Sequence, residues 1–135
     1  NNCIIANSAN IAGHVDIEDW VIIEGVVAIQ QFVTIGQHAF IGGGSHVRKN
    51  VPPFIKAARE PLSYVGVNSI GLRRRGFENE VVASIEDIYR ALYVHSNNIT
   101  QAVKAAEMEL PSSKSKDLIL NFIRNSDKGI IRGPF

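Results

Sequence analysis

Basic side chains gather in the middle of this 135-residue sequence. Residues 48–77 hold Arg48, Lys49, Lys56, Arg59, Arg73, Arg74 and Arg75 against one acid, Glu60, a net charge of +6. Residues 1–47 hold Asp16, Glu18, Asp19 and Glu24 and no Lys or Arg, a net charge of −4. A local excess of this size points to an anionic ligand or partner. Nucleic acid fits poorly, because the cluster lacks interleaved aromatics on which bases would stack. A phosphate group fits better, since a planar guanidinium can clamp two phosphate oxygens at once. The four histidines, His14, His38, His46 and His95, stand at no metal-ligand spacing with a carboxylate, so no metal is expected. The single cysteine, Cys3, excludes an internal disulfide and a cysteine-built metal site, and favours a reducing compartment.

The element that must position these groups is a repeat. Ile5, Ile11, Ile17, Ile23, Ile29, Ile35, Ile41 and Val47 recur every six residues. Four positions after each stands a small or β-branched residue: Ala9, Val15, Val21, Val27, Val33, Ala39, Ser45 and Val51. A helix needs apolar residues three and four apart and an ordinary strand alternates by two, so neither accounts for a period of six. Short strands separated by regular corners do, which is the hexapeptide signature of a parallel β-helix stacked at about 4.8 Å per coil. The branched residue points inward and the small one fits where corners crowd. Cys3 occupies a fourth position whose first residue would precede Asn1, so the sequence is expected to start inside a longer repeat.

The repeat is expected to end at Pro52-Pro53, which cannot donate ladder hydrogen bonds. Residues 54–77 read as a connector carrying the basic segment. From about Glu80 the period changes. Val81, Val82, Ile85, Ile88, Tyr89 and Leu92 mark one helix face, and Ile99, Ala102, Val103 and Ala106 a second, with a cap expected near Thr100. Leu118, Leu120, Phe122 and Ile123 mark a third helix, preceded by Ser112–Ser115 and stopped near Gly129. The predicted organisation is therefore a β-solenoid over 1–53, a connector over 54–77 and a helical domain over 78–135. With 45% hydrophobic and 20% charged residues the composition is that of a globular protein. No apolar run is long enough to span a membrane, and no secretory signal is visible.

Residues outside the periodic positions are more specific than the repeat. Asn1-Asn2-Cys3-Ile4-Ile5-Ala6-Asn7, Ile11-Ala12-Gly13-His14, Gly42-Gly43-Gly44-Ser45 and Val51-Pro52-Pro53 all contribute. So do Gly66-Val67-Asn68 through Gly71-Leu72-Arg73-Arg74-Arg75-Gly76-Phe77, and the ending Gly129-Ile130-Ile131-Arg132-Gly133. Together they resemble the acyl-carrier-protein–UDP-N-acetylglucosamine O-acyltransferases of lipid A biosynthesis, along the whole chain but over roughly the second half of the family's length. The resemblance implies a left-handed parallel β-helix followed by a C-terminal helical domain, assembled as a cytoplasmic homotrimer. It implies transfer of a 3-hydroxyacyl chain from acyl carrier protein to the 3-hydroxyl of UDP-N-acetylglucosamine, with no cofactor.

Residue roles follow from the same resemblance. The family's catalytic base is a histidine one coil before His14, at a position preceding Asn1. Gly13 matches the glycine whose N–H stabilises the oxyanion, and His14 a second histidine lining that cleft. Gln30 stands where the family has histidine, in Ile29-Gln30-Gln31-Phe32; an amide still hydrogen-bonds but carries no charge, so weakened activity is expected. Gln31 keeps the family's residue beside the substrate. Glu24 and Val26-Val27 replace a Gly-Gly-Met-Thr run and would narrow the cleft beside the acyl chain. Gly43 matches a position that limits acyl length, with glycine leaving room for a longer chain. Asn68, Arg74 and Arg75 match positions near the nucleotide, while Lys49, Lys56, Arg59 and Arg73 form a solvated surface or a docking patch for the acidic carrier protein. His38, His46 and His95 match no role. Two other readings stay open: the N-acyltransferase acting later in that pathway, and a non-catalytic trimeric scaffold or sugar-nucleotide binder.

Overall fold

The computed structural model describes residues 2–96 and 98–134, so Asn1 of the first motif lies outside the described residues. Eight two-residue strands open the chain: β1 (Ile4–Ile5), β2 (Asn10–Ile11), β3 (Asp16–Ile17), β4 (Ile22–Ile23), β5 (Ala28–Ile29), β6 (Thr34–Ile35), β7 (Phe40–Ile41) and β8 (His46–Val47). The first five each pair in parallel with the strand three places on, in a register of 18 residues: Ile5 with Ile23, Ile11 with Ile29, Ile17 with Ile35. Three hexads therefore make one coil, and the coils form a three-sided prism with one sheet per side. The hexad isoleucines and the fourth-position residues both face inward. From Val21 to Val47 they are 0–6% exposed, whereas Ile5 and Ile11 of the first coil are 46% and 39% exposed because only one side of that coil is covered by described residues.

Each hexad turns its corner through one residue in the left-handed backbone region: Ser8, His14, Trp20, Val26, Phe32, His38 and Gly44, with φ between 56° and 75°. Six of these seven are not glycine. Left-handed backbone costs a non-glycine residue roughly 1–2 kcal/mol. Hydrogen bonds between coils hold it in place: Phe32 N–H donates to His14 O (2.9 Å), His38 N–H to Asp19 O (2.9 Å) and Gly44 N–H to Gly25 O (3.0 Å).

The stack does not stop at Pro52-Pro53. Its last coil is two residues shorter, with Ile35 bridging Val51 and Phe40 pairing Lys56. Val51 thus takes a strand position, not the fourth position expected of it. The shortening brings Pro53 against Gly36, where a Cβ would lie 2.5 Å from Pro53 N. The segment read as a connector continues the first sheet with β9 (Ile55–Ala58), which turns back as the antiparallel β10 (Ser63–Val67), and then forms a short helix, α1 (Ser69–Arg74).

Three longer helices follow: α2 (Asn79–Tyr89), continued by a π-helical turn over Arg90–Val94, then α3 (Ile99–Glu109) and α4 (Lys114–Arg124). Asn98, two residues before Thr100, caps α3, its side chain accepting from Gln101 N–H at 3.1 Å; Ser113 caps α4 in the same way at 3.0 Å. Lys116 is buried, and its Nζ donates to Glu107 O and Leu110 O (both 2.8 Å), closing the carbonyl end of α3. Tyr64, Tyr89 and Tyr93 stack between sheet and helices. Tyr89 OH donates to Pro53 O (2.5 Å) and Tyr93 OH to Ile131 O (2.9 Å), and the apolar core runs unbroken from Val21 to Ile131. Burial pushes the hydroxyls of Tyr89 and Tyr93 well above the usual phenol range, so both stay protonated donors.

Candidate active site

The prism sorts the candidate residues onto its edges. One edge stacks Ala12-Gly13-His14 directly on Gln30-Gln31-Phe32, one coil apart. Gly13, His14, Gln30 and Gln31 are all exposed there. The His14 ring lies flat over Phe32, 5.6 Å between centroids and 16° between planes, which fixes the imidazole on an apolar floor with its nitrogens at the edge. No Cβ contact surrounds Gly13, so space for a reacting group is open beside its backbone. Among the described residues its N–H meets no acceptor, and neither do those of Gly25 and Gln31. Elsewhere carboxylates fill that role: Glu18 accepts from Gln37 N–H and Glu24 from Gly43 N–H, both at 3.0 Å. A free backbone donor beside a histidine and two amides can bind an oxyanion and orient a hydroxyl.

A second edge carries Gly43. It stacks on Gly25, whose carbonyl would stand 3.3 Å from any Cβ at Gly43. Glu24 does not project freely there, because its carboxylate is bound to Gly43 N–H, whereas Val26 is 70% exposed.

The third edge holds Asn68 and Arg75. Asn68 is buried and its amide is used at both ends: Oδ1 accepts from Gly71 N–H (3.3 Å), capping α1, and Nδ2 donates to His38 O (3.0 Å). It thereby pins α1, and with it the arginines, to the solenoid. Arg75 Nη1 donates to His38 Nδ1 at 2.9 Å, and its guanidinium lies 5.6 Å from the centre of the Trp20 ring. Arg73 Nε donates to Asn79 Oδ1 (3.0 Å), while the Arg74 guanidinium is exposed and makes no hydrogen bond or ion pair with a described residue. An open cavity of about 660 Å³ adjoins this edge, lined among others by Gln37, Phe54, Arg75, Phe77 and Lys114.

His38, without a role in the sequence, lies at the centre of this edge. It is 6% exposed, stacked on Trp20 (6.2 Å) and Phe54 (5.8 Å) and met edge-on by Phe77 (5.0 Å). Burial, reinforced by the Arg75 cation and opposed by Asp19, lowers its pKa to about 4, so the ring is neutral near pH 7. Its packing follows from contacts with Arg75 and Phe77 that are remote in sequence, and only its sixfold alignment with His14 and Trp20 could have marked it as a corner. Among the described residues no group of three or more His, Cys, Asp or Glu stands together to hold a metal. No described helix is long and apolar enough to cross a membrane.

Coils of three hexads with one sheet per side define a hexapeptide-repeat β-solenoid protein. A sequence model of one family, described as UDP N-acetylglucosamine O-acyltransferase, domain 2, matches residues 50–131. The chain belongs to that family. An acyl-[acyl-carrier-protein]–UDP-N-acetylglucosamine O-acyltransferase from Aliivibrio salmonicida is 39% identical over 131 residues, 97% of this chain and 50% of that protein. The solved UDP-N-acetylglucosamine acyltransferase of Bacteroides fragilis superposes with a TM-score of 0.94 at 45% identity, covering 98% of this chain and 52% of its own. That of Arabidopsis gives 0.89 at 33% identity, covering 98% and 49%. The chain thus spans about half the length of the curated relatives it matches. The fold is the expected one, a left-handed parallel β-helix followed by helices.

Proposed function

We propose that this chain is the C-terminal part of an enzyme that moves a 3-hydroxyacyl group from acyl carrier protein to the 3-hydroxyl of UDP-N-acetylglucosamine, opening lipid A biosynthesis in the cytoplasm. Family membership over residues 50–131 carries the reading. The sugar hydroxyl loses its proton to a histidine outside this sequence as its oxygen attacks the thioester carbon. The carbonyl oxygen becomes negative, and Gly13 N–H donates to it. Collapse of the tetrahedral intermediate forms the ester and expels the carrier's thiolate. His14, Gln30 and Gln31 orient the sugar, Arg74 and Arg75 take the nucleotide's phosphate oxygens, and Gly43 bounds the acyl chain. We place the solenoid functions in 1–53, the nucleotide segment in 54–77 and the support in 78–135.

The three edges of one prism face different ways, so Gly13 and His14 cannot share a cleft with Arg75 of the same chain. A homotrimer, in which one copy's edge faces another's, brings them together. The assay is acyl transfer from 3-hydroxyacyl carrier protein to UDP-N-acetylglucosamine by the intact protein, read by mass spectrometry. Transfer is expected, with Arg74→Ala raising the KM for the sugar nucleotide about tenfold, the worth of one charge-assisted phosphate contact. Gln30, in place of an ionisable histidine, favours a second reading as a sugar-nucleotide binder. Binding without turnover would select that reading.

A further inference from the structure

His38 is polar and buried, yet nothing in the proposed reaction uses it. Its surroundings explain what it can do. Arginine has donors only, so a hydrogen bond from Arg75 Nη1 to His38 Nδ1 requires a lone pair on that nitrogen and the proton on Nε2. Three aromatic rings fix the plane of the imidazole, and the carbonyl of His38 is held by Asn68 Nδ2, so the acceptor cannot swing away. Trp20, parallel to the imidazole within 6°, offers its face to the same guanidinium. Nε and Nη2 of Arg75 donate to no described residue.

We propose that His38, with Trp20, is a positioning residue: it clamps Arg75 by one guanidinium nitrogen and leaves Nε and Nη2 as a preset fork for phosphate oxygens. The inference rests on the nucleotide reading of Arg75 and deepens it. A long arginine gives up much rotamer freedom on binding, and a clamp formed beforehand removes that loss from the binding step. Protonation of His38 would abolish the acceptor and set two cations together, so its neutral state is part of the device.

Substitution separates clamping from packing. His38→Phe keeps a ring among Trp20, Phe54 and Phe77 but removes the acceptor; phenylalanine already occupies the equivalent left-handed corner at Phe32 (φ 68°). His38→Asn keeps an acceptor at the Nδ1 position and tolerates left-handed backbone. The intact protein is titrated with UDP-N-acetylglucosamine by calorimetry, and Arg75 Nε–H order is followed by NMR relaxation without ligand. His38→Phe is expected to release Arg75 and weaken binding about tenfold, on the scale of one charge-assisted bond. His38→Asn is expected to restore both, and His38→Phe is expected to add nothing in an Arg75→Ala background. If Arg75→Ala weakens binding while His38→Phe leaves Arg75 order and affinity unchanged, this inference is wrong and the nucleotide reading stands. Wild-type affinity in Arg75→Ala overturns both.

Discussion

A histidine at its ordinary pKa of 6.5 is partly charged in mildly acidic solution; in this fold His38 stays neutral down to about pH 4. The sign of the linkage follows. Below 6.5 the unfolded chain takes up a proton that the folded chain refuses, so stability falls as pH drops from 6.5 towards 4 and levels off beneath. A shift of this size is worth up to about 3 kcal/mol. Urea unfolding of wild type at pH 7 and pH 4.5 should therefore show a loss of about 2–3 kcal/mol that His38→Phe largely removes. An equal loss in both proteins would place the acid sensitivity elsewhere. The sequence could not announce this residue, because its partner Arg75 lies 37 positions away and the two meet only when α1 docks on the third edge. Gly13 and His14 are candidates only through the motif around them: nothing in their types reveals that Phe32 would floor the imidazole.

At the scale of elements, the aliphatic period of six fixed the coil, because only an inward stack of branched side chains satisfies it over so many repeats. What the period could not report was where it broke. Val51 satisfies both a fourth position and a strand position, so the two-residue shortening between Val47 and Val51 left no trace in residue type. The β9–β10 hairpin and α1 went unread for a related reason: glycines and basic residues there suggest a loop, whereas pairing with β7 and the Asn68 cap, both tertiary, impose order. The shortening has a measurable consequence at Gly36. An added methyl would press on the Pro53 nitrogen at 2.5 Å and on its Cα and Cδ at 2.8 Å, backbone and ring atoms locked inside the stack. Gly36→Ala should cost about 3 kcal/mol or more, at the upper end of overpacking penalties. A urea midpoint within error of wild type would show that the last coil can shift and that the close approach constrains nothing.

The whole molecule poses the question of what covers its edges. Val26, Phe32 and Trp20 are 70%, 62% and 40% exposed, one on each edge of the prism. They occupy the left-handed corner position of successive hexads, where the ring or branched side chain is thrust outward. Apolar groups of that size on every edge are a poor surface for a lone chain and a good one for a closed ring of three copies. In the proposed trimer the same closure would set the Gly13–His14 edge of one copy against a neighbour and complete the cleft between them. Sedimentation equilibrium should accordingly give three times the chain mass. Replacing Val26 and Phe32 together by Asp should yield a monomer whose circular dichroism is retained, since neither side chain enters the core. That monomer should bind UDP-N-acetylglucosamine at least tenfold more weakly, because half of each cleft has gone and His14 has lost its Phe32 floor. A folded monomer that binds as tightly as wild type would mean that one copy's third edge, with its Arg75 fork, holds the nucleotide unaided.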